Sequence, residues 1–296
     1  PETVQRARTC IGVDHPVQRN RLYCFTIPTD DTWARDFGPI CVQEERSPIL
    51  LDFNFNGWGK RFSAELDNRA TQELNRLNAF AAPVRRINWT LEGGAVDFDD
   101  RGRMLATKAS VLNPNRNGYV ALDEVERLFR QTFGVNEFLW LEHGHIPGDD
   151  TDSHIDTLAR FVPGGKILYC RPEHKDHPAY SDLMLMEKEI FQHGERCGLE
   201  PVPLPLPMPL PHPIDHTPMP ATYANFLFIN DDVVLLPVYG LPEDEKACNV
   251  LRGVLPSYEI VPIDCRTLIR QHGSLHCMTM QLPRETFNRN CRISSS

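Results

Sequence analysis

The stretch "ALDEVERLFRQTF", residues 121–133, is the clearest of four helical patterns that recur along the chain. Its apolar residues are three and four positions apart, which places them on one face of an α-helix. Similar patterns begin near Ser63, Tyr180 and Pro242, so that successive starts lie 58, 59 and 62 residues apart. A spacing this regular predicts a structural repeat, even though the four sequences barely match one another.

Strand-like runs follow each predicted helix and are separated by polar or glycine-rich loops. Residues 86–107, "RINWTLEGGAVDFDDRGRMLAT", predict strand, loop, strand, a turn at "DDRG" and a further strand. Residues 222–240, "TYANFLFINDDVVLLPVYG", predict a hairpin that turns at "NDD". Residues 21–42 and 258–280 fit the same scheme, with strands on both sides of a loop.

A chemically reactive residue follows the strand at a similar position in each of five successive units: Asp36, Glu92, His154 with Asp156, Asn225 in "ATYAN", and Cys277. A ring of five units would point all five loops at one axis and assemble one active site from distant parts of the chain. We therefore predict a single α/β domain over residues 1–296, built as a ring of five units.

Prolines occupy every second position of "PVPLPLPMPLPHP", residues 201–213. In an extended strand the alternate N–H groups point the same way, so the missing donors all fall on one edge. The intervening apolar residues then share one face. The pattern favours an edge strand or extended crossover packed on the body over an exposed polyproline ligand.

The composition is that of a globular protein, with 41% hydrophobic and 24% charged residues. A net charge of −9 argues against a nucleic-acid-binding protein. No apolar run approaches the ~18 residues of a membrane span. The nine cysteines contain no CxxC pair, which is typical of reduced thiols. Reduced thiols in turn lead us to expect a cytoplasmic protein.

Two short motifs hold the first candidate residues. "TWARDFGP", residues 32–39, places Trp33, Arg35 and Asp36 before a Gly-Pro pair, but on spacing alone a turn with a surface ion pair is the better explanation. "LEGGAVDF", residues 91–98, puts Glu92 at a strand end beside two glycines that allow close approach of backbone or ligand. An ordinary tight turn is the alternative.

The densest cluster of polar residues is "HGHIPGDDTDSHIDTLARF", residues 143–161. A metal site is one interpretation, since His and Asp at close spacing are good ligands, although no motif such as HExxH is present. An acid–base pair is another, because His154 and Asp156 share one side of an extended segment. A solvated acidic loop is the third. The cluster comprises His143, His145, Asp149, Asp150, Asp152, His154 and Asp156.

Cys277 lies in "GSLHCMTMQ", residues 273–281, and is either an inert buried thiol or a nucleophile at the end of a strand. Adjacent strand residues point to opposite faces, so His276 is poorly placed to activate it. A base from another unit, such as His154, is the better candidate.

Six motifs occur together in one order: "WARD-GP", "LEGGAV", "LNPNRN", "DDTDSHIDTLARF", "PATYANF" and "GSLHC". In this the chain resembles the agmatine deiminase and bacterial-type peptidyl-arginine deiminase family, from about Leu22 to Pro283. The resemblance implies the pentein fold, a five-bladed α/β propeller with pseudo-fivefold symmetry. The family's first strand and helix have no counterpart before Pro1, so part of the first blade is expected to be missing.

The same resemblance implies roles for the candidate residues. Cys277 corresponds to the nucleophile and His154 to the acid–base residue. Asp36 and Asp156 correspond to the carboxylates that hold the substrate guanidinium, and Glu92 to the acid of the "EGG" motif, which would orient His154.

Four further residues bear on the site. Trp33 is expected to pack on the substrate or to be a core aromatic, and Asn225 to contact the substrate tail. Ser153 and Ser274 stand where many members of the family have glycine, which is expected to alter loop geometry without removing a chemical group.

The implied activity is hydrolysis of the C–N bond of a linear amidine. Agmatine would give N-carbamoylputrescine and ammonia through a covalent thiouronium-type intermediate on Cys277, which would feed putrescine synthesis. We expect neither a metal nor a cofactor, and a homo-oligomer stays open. The alternatives are a deiminase of peptidyl-arginine or another guanidino compound, an amidinotransferase, a metal-dependent hydrolase using the His143–Asp156 cluster, and a non-enzymatic scaffold with an acidic face.

Overall fold

A computed structural model describes residues 23–288, and within them one unit is repeated four times. Each unit has a three-stranded sheet in which the first two strands form an antiparallel hairpin. A helix then crosses over to a third strand that runs parallel to the second. The repeat predicted from the spacing of the helical patterns is therefore confirmed for these four units.

The first unit consists of β1 (Ile40–Glu44), β2 (Ser47–Asn54), α1 (Ala70–Arg76) and β3 (Val84–Thr90). The second consists of β4 (Val96–Phe98), β5 (Arg103–Thr107), α2 (Leu122–Phe133) and β6 (Glu137–Leu141). The third consists of β7 (Ala159–Val162), β8 (Lys166–Pro172), α3 (Tyr180–Cys197) and β9 (Glu200–Leu206).

The fourth unit consists of β12 (Leu227–Ile229), β13 (Val233–Val238), α4 (Glu243–Val254) and β14 (Glu259–Asp264), after a short ribbon of β10 (Leu210–Pro211) and β11 (Pro218–Met219). The connections contain single helical turns. These are Ala34–Phe37, Gly57–Lys60, Asp67–Arg69, Gly93–Ala95, Lys108–Val111, Pro114–Asn117, Ile155–Thr157, Leu268–Gln271 and Arg284–Thr286.

The predicted helices and turns agree closely with these bounds. Helices α2, α3 and α4 begin at or one residue after the predicted starts, and only the first pattern is shortened to one 3₁₀ turn followed by α1. The hairpins turn at residues 99–102 and 230–232, as predicted. In α2 the apolar stripe places Val125 and Phe129 in the core.

The proline-rich segment forms β9, which pairs with β8 and has no second partner strand among residues 23–288. Leu204 and Leu206 are buried, while alternate positions carry the prolines. An edge strand tolerates missing N–H donors because its outer edge bonds to no neighbour. The edge-strand prediction is confirmed.

Two predicted strands are wrong. Residues 23–33 form no strand, and at Asp30 and Asp31 the N–H groups donate to the carboxylate of Asp67; residues 21 and 22 of this prediction lie outside the described residues. Residues 272–280 also form none. The N–H groups of His276 and Cys277 donate to the side chain of Asn225, which holds this segment as a turn.

The described residues contain four three-stranded sheets and the two-stranded ribbon of β10 and β11, but no fifth three-stranded sheet. None of their helices has both the length and the apolar character that crossing a membrane requires.

Candidate active site

One cavity of about 350 Å³, here called the Cys277 cavity, gathers the residues that the sequence singled out in separate units. Glu92 and Asn225 lie directly behind its wall, the first against His154 and the second against Cys277. The structure therefore brings all seven predicted side chains together. The cavity is lined by Asp30, Asp31, Trp33, Asp36, Trp58, Phe62, Asp150, Thr151, His154, Asp156, Thr157, Gln271, His272, Gly273 and Cys277.

Asp36 is held by two hydrogen bonds from other parts of the chain. The backbone N–H of Gly94 donates to Oδ1 at 2.9 Å, and the indole N–H of Trp58 donates to Oδ2 at 2.9 Å. The carboxyl group is buried, so these donors replace the water it would bind on the surface. They also fix which way its remaining lone pairs face.

Trp58 reaches Asp36 from a left-handed turn. Every residue from Gly57 to Lys60 has a positive φ, and the N–H groups of Lys60 and Arg61 donate four positions back, to Asn56 and Gly57. Left-handed backbone strains residues that carry a side chain, so the two glycines of "GWGK" lower the cost of this turn. The turn delivers a buried indole donor that sequence reasoning missed.

Gly94 is the point where three of the predicted side chains converge. A Cβ atom there would lie 2.8 Å from Asp36 Oδ1, 2.8 Å from His154 Nδ1 and 3.1 Å from Asp156 Oδ2. Contacts this short leave no space for a methyl group. The second glycine of "LEGG" is therefore required by the close approach of these groups.

His154 lies between two carboxylates and is 1% exposed. Its Nδ1 is 3.6 Å from Asp36 Oδ1, and its Nε2 is 3.6 Å from Glu92 Oε2. Burial alone would lower the pKa of this imidazole, but the charges of Asp36 and Glu92 outweigh burial and raise it to about 9. The ring is therefore a cation at neutral pH.

Glu92 is fully buried and remains ionised because a second cation faces it. Nε of Arg116 donates to both carboxylate oxygens, at 2.9 and 2.7 Å. Burial acts to raise the pKa of Glu92, but His154 and Arg116 more than offset it, so the pKa lies below its usual range. Arg116 also donates to the carboxylate of Asp152 and to the carbonyl of Thr151, which ties Glu92 to the loop before His154.

His154 and Asp156 do face the same cavity, but the segment is not extended as predicted. His154 precedes the 3₁₀ turn Ile155–Thr157, and Ser153 before it has a φ of 68°. A 3₁₀ turn has about three residues per turn. The side chains of His154 and Asp156 therefore share a direction because of this turn, and not because they alternate along a strand. The positive φ at Ser153 explains why glycine suits this position.

Asp156 is buried with one oxygen engaged and the other free. His276 Nδ1 lies 2.8 Å from Oδ2, whereas Oδ1 has no hydrogen-bond partner among the described residues. Burial raises the pKa of Asp156 to about 6, against the opposing charge of His154. Burial and the charges of Arg160 and Arg35 lower the pKa of His276 well below its usual range, so its neutral ring donates to Asp156.

The sulfur of Cys277 lies 3.7 Å from Asp156 Oδ2 and 3.3 Å from the side-chain nitrogen of Asn225. Burial, followed by the charges of Asp156 and Asp36, raises the pKa of this thiol well above its ordinary value. The group is therefore a neutral thiol at pH 7.

Three residues of the site were not predicted from the sequence: Trp58, Arg116 and His276. Arg116 belongs to the "LNPNRN" motif, which was noticed only as part of the resemblance. Its partner Glu92 is 24 residues away and in another loop, so no local charge pattern could reveal the pair.

The polar cluster of residues 143–161 does not form a metal site. His143 contacts Glu189, Asp152 pairs with Arg116, and Asp149 accepts the N–H of Ser153. Within residues 23–288, no three His, Cys, Asp or Glu side chains are arranged to hold a metal ion. The geometry gives the metal-site interpretation no support.

Comparison with known proteins supports the resemblance seen in the motifs. Residues 2–283 match the sequence profile of the Porphyromonas-type peptidyl-arginine deiminases. The chain belongs to this family. The match covers all six motifs, so the family predicted from their order is confirmed.

Individual relatives and solved structures agree. The chain is 28% identical over 281 residues to the agmatine deiminase of Pseudomonas aeruginosa strain UCBPP-PA14, covering 87% of this chain and 76% of that protein. A Porphyromonas gingivalis structure, provisionally named an arginine deiminase, superposes with a TM-score of 0.88 at 42% identity, over 95% of this chain and 84% of that one.

A solved structure with substrate bound is also similar. It is a cysteine-to-serine variant of C. jejuni agmatine deiminase, with a TM-score of 0.80 and 38% identity, over 86% of this chain and 74% of that one. The α/β fold of this chain is the fold of these proteins.

Replacing Gly94 by alanine tests whether the close approach at the cavity wall matters. The added methyl group must push apart Asp36 and His154, so we expect kcat/KM to fall by about 100-fold or more and the free energy of unfolding to fall by about 1–3 kcal/mol. Steady-state kinetics and thermal unfolding measure the two effects. Gly253→Ala in α4, where no atom lies within 4 Å of the added Cβ, is the matched control and should keep full activity. Full activity of Gly94→Ala would contradict the assignment.

The two serines that replace family glycines should respond in opposite ways to Gly substitution. Ser153→Gly relieves a left-handed residue and should raise the free energy of unfolding by about 0.5–1 kcal/mol. Ser274→Gly removes the hydrogen bond between Ser274 Oγ and the Tyr239 hydroxyl, 3.0 Å apart, and should lower it by about 1–2 kcal/mol. Urea unfolding of both variants would contradict this account if the two shifts had the same sign.

Proposed function

We propose that this chain hydrolyses agmatine to N-carbamoylputrescine and ammonia, a reaction that leads to putrescine. The observation that carries the proposal is the meeting of a thiol, an imidazolium and two buried carboxylates in one cavity, with Oδ1 of Asp156 free to accept a hydrogen bond. The agmatine deiminase relatives support the choice of reaction.

Asp36 and Asp156 suit the binding of a guanidinium. This cation is planar and presents N–H donors in a fork that matches carboxylate oxygens. Both carboxyl groups are buried, and His154 is their nearest cation in the cavity wall. A bound guanidinium would neutralise them and hold its central carbon near the sulfur of Cys277. Trp33, buried in the cavity wall, would pack against the substrate.

Substrate binding would also activate the nucleophile. The carboxylates that keep the Cys277 thiol protonated are the groups that the guanidinium neutralises. The cation therefore favours loss of the thiol proton to solvent, and the resulting thiolate attacks the guanidinium carbon. A carbon–sulfur bond forms and the carbon becomes tetrahedral.

His154 completes the first half-reaction as an acid. Its imidazolium donates a proton to one terminal nitrogen, the carbon–nitrogen bond breaks and ammonia leaves. An amidino-thioether cation, the thiouronium-type intermediate, remains on Cys277. Glu92 and Asp36 favour the protonated ring in this step because they raise the pKa of His154 to about 9.

The second half-reaction uses His154 as a base. The neutral imidazole takes a proton from water, the oxygen attacks the same carbon, and the carbon–sulfur bond breaks to release the ureido product. One water is consumed and one ammonia is released in each cycle. Asn225, whose side chain contacts the sulfur and the N–H groups of His276 and Cys277, would hold the nucleophile in place through both halves rather than bind the substrate tail.

The mouth of the Cys277 cavity favours a substrate with a cationic tail. Asp30, Asp31 and Asp150 line it, whereas no lysine or arginine of residues 23–288 does. The amine of agmatine would be attracted there, while the carboxylate of free arginine would meet like charge. A peptidyl-arginine substrate, suggested by the family name, carries no such tail charge and is the second candidate.

We also infer that the whole chain is one domain with a fifth unit that closes a five-bladed propeller. The support is the place of Cys277, which follows the fourth unit yet faces residues of the first and third. The metabolic role of the reaction favours a cytoplasmic location.

An ammonia-release assay with agmatine, free arginine and an arginine-containing peptide tests the function. We expect agmatine to be turned over most efficiently, and Cys277→Ala to reduce the rate to background while thermal unfolding stays unchanged. Turnover by folded Cys277→Ala would remove the covalent mechanism. A clear preference for the peptide would instead favour the second candidate.

Replacing Asp150 by asparagine tests the role of the cavity mouth. Loss of one charge near the substrate amine should raise KM for agmatine by about fivefold, the size of one partly exposed ion pair, with kcat little changed. The same variant should show no change with n-butylguanidine, whose tail is uncharged. Equal effects on both substrates would contradict a role in recognising the amine.

A further inference from the structure

A second cavity lies next to the Cys277 cavity and shares none of its lining residues. It has a volume of about 300 Å³ and is called here the back cavity. Arg35 and His276 line it, while their chain neighbours Asp36 and Cys277 line the Cys277 cavity. The two cavities therefore lie on opposite sides of one thin layer. The proposed reaction uses only one of them.

Arg35 brings a buried cation to the back cavity without a carboxylate partner. Its guanidinium donates to the carbonyl of His276 at 3.4 Å, to the sulfur of Met280 at 3.4 Å and to the side-chain oxygen of Gln281. No carboxylate of residues 23–288 lies within ion-pair distance of it. A thioether is a weak acceptor, so a buried arginine with these partners is poorly compensated.

Arg160 brings a second buried guanidinium to the same cavity. Nε donates to Asp97 at 3.1 Å, and Nη1 donates to the carbonyl of Phe226 at 3.1 Å. Nη2 donates to no group in the described part of the chain, and this atom keeps contact with solvent although the residue is only 5% exposed. Arginine keeps its charge at ordinary pH, so this nitrogen is available to donate to a ligand that replaces solvent in the cavity.

The two guanidinium groups repel each other. Burial, and then the charge of Arg160, lower the pKa of Arg35 to about 10. Among residues 23–288, Asp97 is the only acidic residue that lines the back cavity, and it also accepts the N–H of Phe161. Asp156 and Asp36, on the other side of the layer, act against this lowering of the Arg35 pKa, and on the side of the back cavity Asp97 pairs with Arg160 alone.

We propose that the back cavity binds a small monovalent anion, a halide or a short-chain monocarboxylate, between Arg35 and Arg160. Such an anion would accept N–H groups from both guanidinium groups and offset their repulsion. The rest of the wall includes the apolar side chains of Ile40, Val96 and Met280, which would cover the hydrocarbon end of a carboxylate. The inference does not depend on the proposed activity.

Crystals of the full chain grown without halide and soaked in sodium bromide provide the direct test. We expect an anomalous peak between the two guanidinium groups, and we expect propionate added to the soak to displace it. Bromide peaks confined to the protein surface would overturn the proposal, as would a peak in the back cavity that contacts neither arginine.

Thermal unfolding separates this site from general salt effects. At matched ionic strength, bromide or propionate at about ten times its Kd should raise Tm by about 2–4 °C relative to a large anion such as gluconate. Arg160→Lys, which keeps the charge but loses the free Nη2, should lose at least half of that shift. Arg266→Lys, on the surface, is the control and should keep it. An equal shift of Tm in the unchanged chain, Arg160→Lys and Arg266→Lys would contradict anion binding at this site. If Arg160→Lys does not fold, the position of bromide in the crystals tests the proposal by itself.

Discussion

Three carboxyl groups buried around one imidazole ring are the constraint on which this structure depends. Asp36, Glu92 and Asp156 are each at most 5% exposed, and His154 lies among them. Buried charges of this kind are tolerated only when each has a partner, since the loss of hydration is otherwise severe. Most of these partners come from distant parts of the chain. Trp58 and the Gly94 backbone serve Asp36, Arg116 serves Glu92, and His276 serves Asp156.

The same constraint links the fold to the chemistry. The repeated units place loops side by side, so that the charges of Asp36 and His154, more than a hundred residues apart, compensate one another. In the proposed mechanism, this arrangement keeps His154 protonated and the Cys277 thiol neutral before a cation enters, which would reserve the thiolate for the substrate complex. Behind this layer, Arg35 and Arg160 supply positive charge that limits the net negative charge of the site.

The sequence predicted those features that depend on local pattern. Helices α2 to α4, the two hairpin turns and the edge strand β9 follow from periodicity, turn residues and proline spacing. The candidate site residues followed from their similar positions in the predicted units, and their roles followed from a family resemblance. Features held by long-range contacts were missed. The turn at Cys277 is held by the side chain of Asn225. The left-handed turn that carries Trp58 could be predicted from "GWGK" only by knowing that Asp36 needs the indole N–H as a donor.

The most direct test of the account is acid quenching of the enzyme during turnover of agmatine, followed by mass spectrometry of the intact protein and its peptides. The account predicts a mass increase equal to agmatine minus one ammonia, located on Cys277 and lost when the reaction is allowed to finish. A label on any other residue, or rapid turnover in which the protein carries no label at any time resolved, would contradict it.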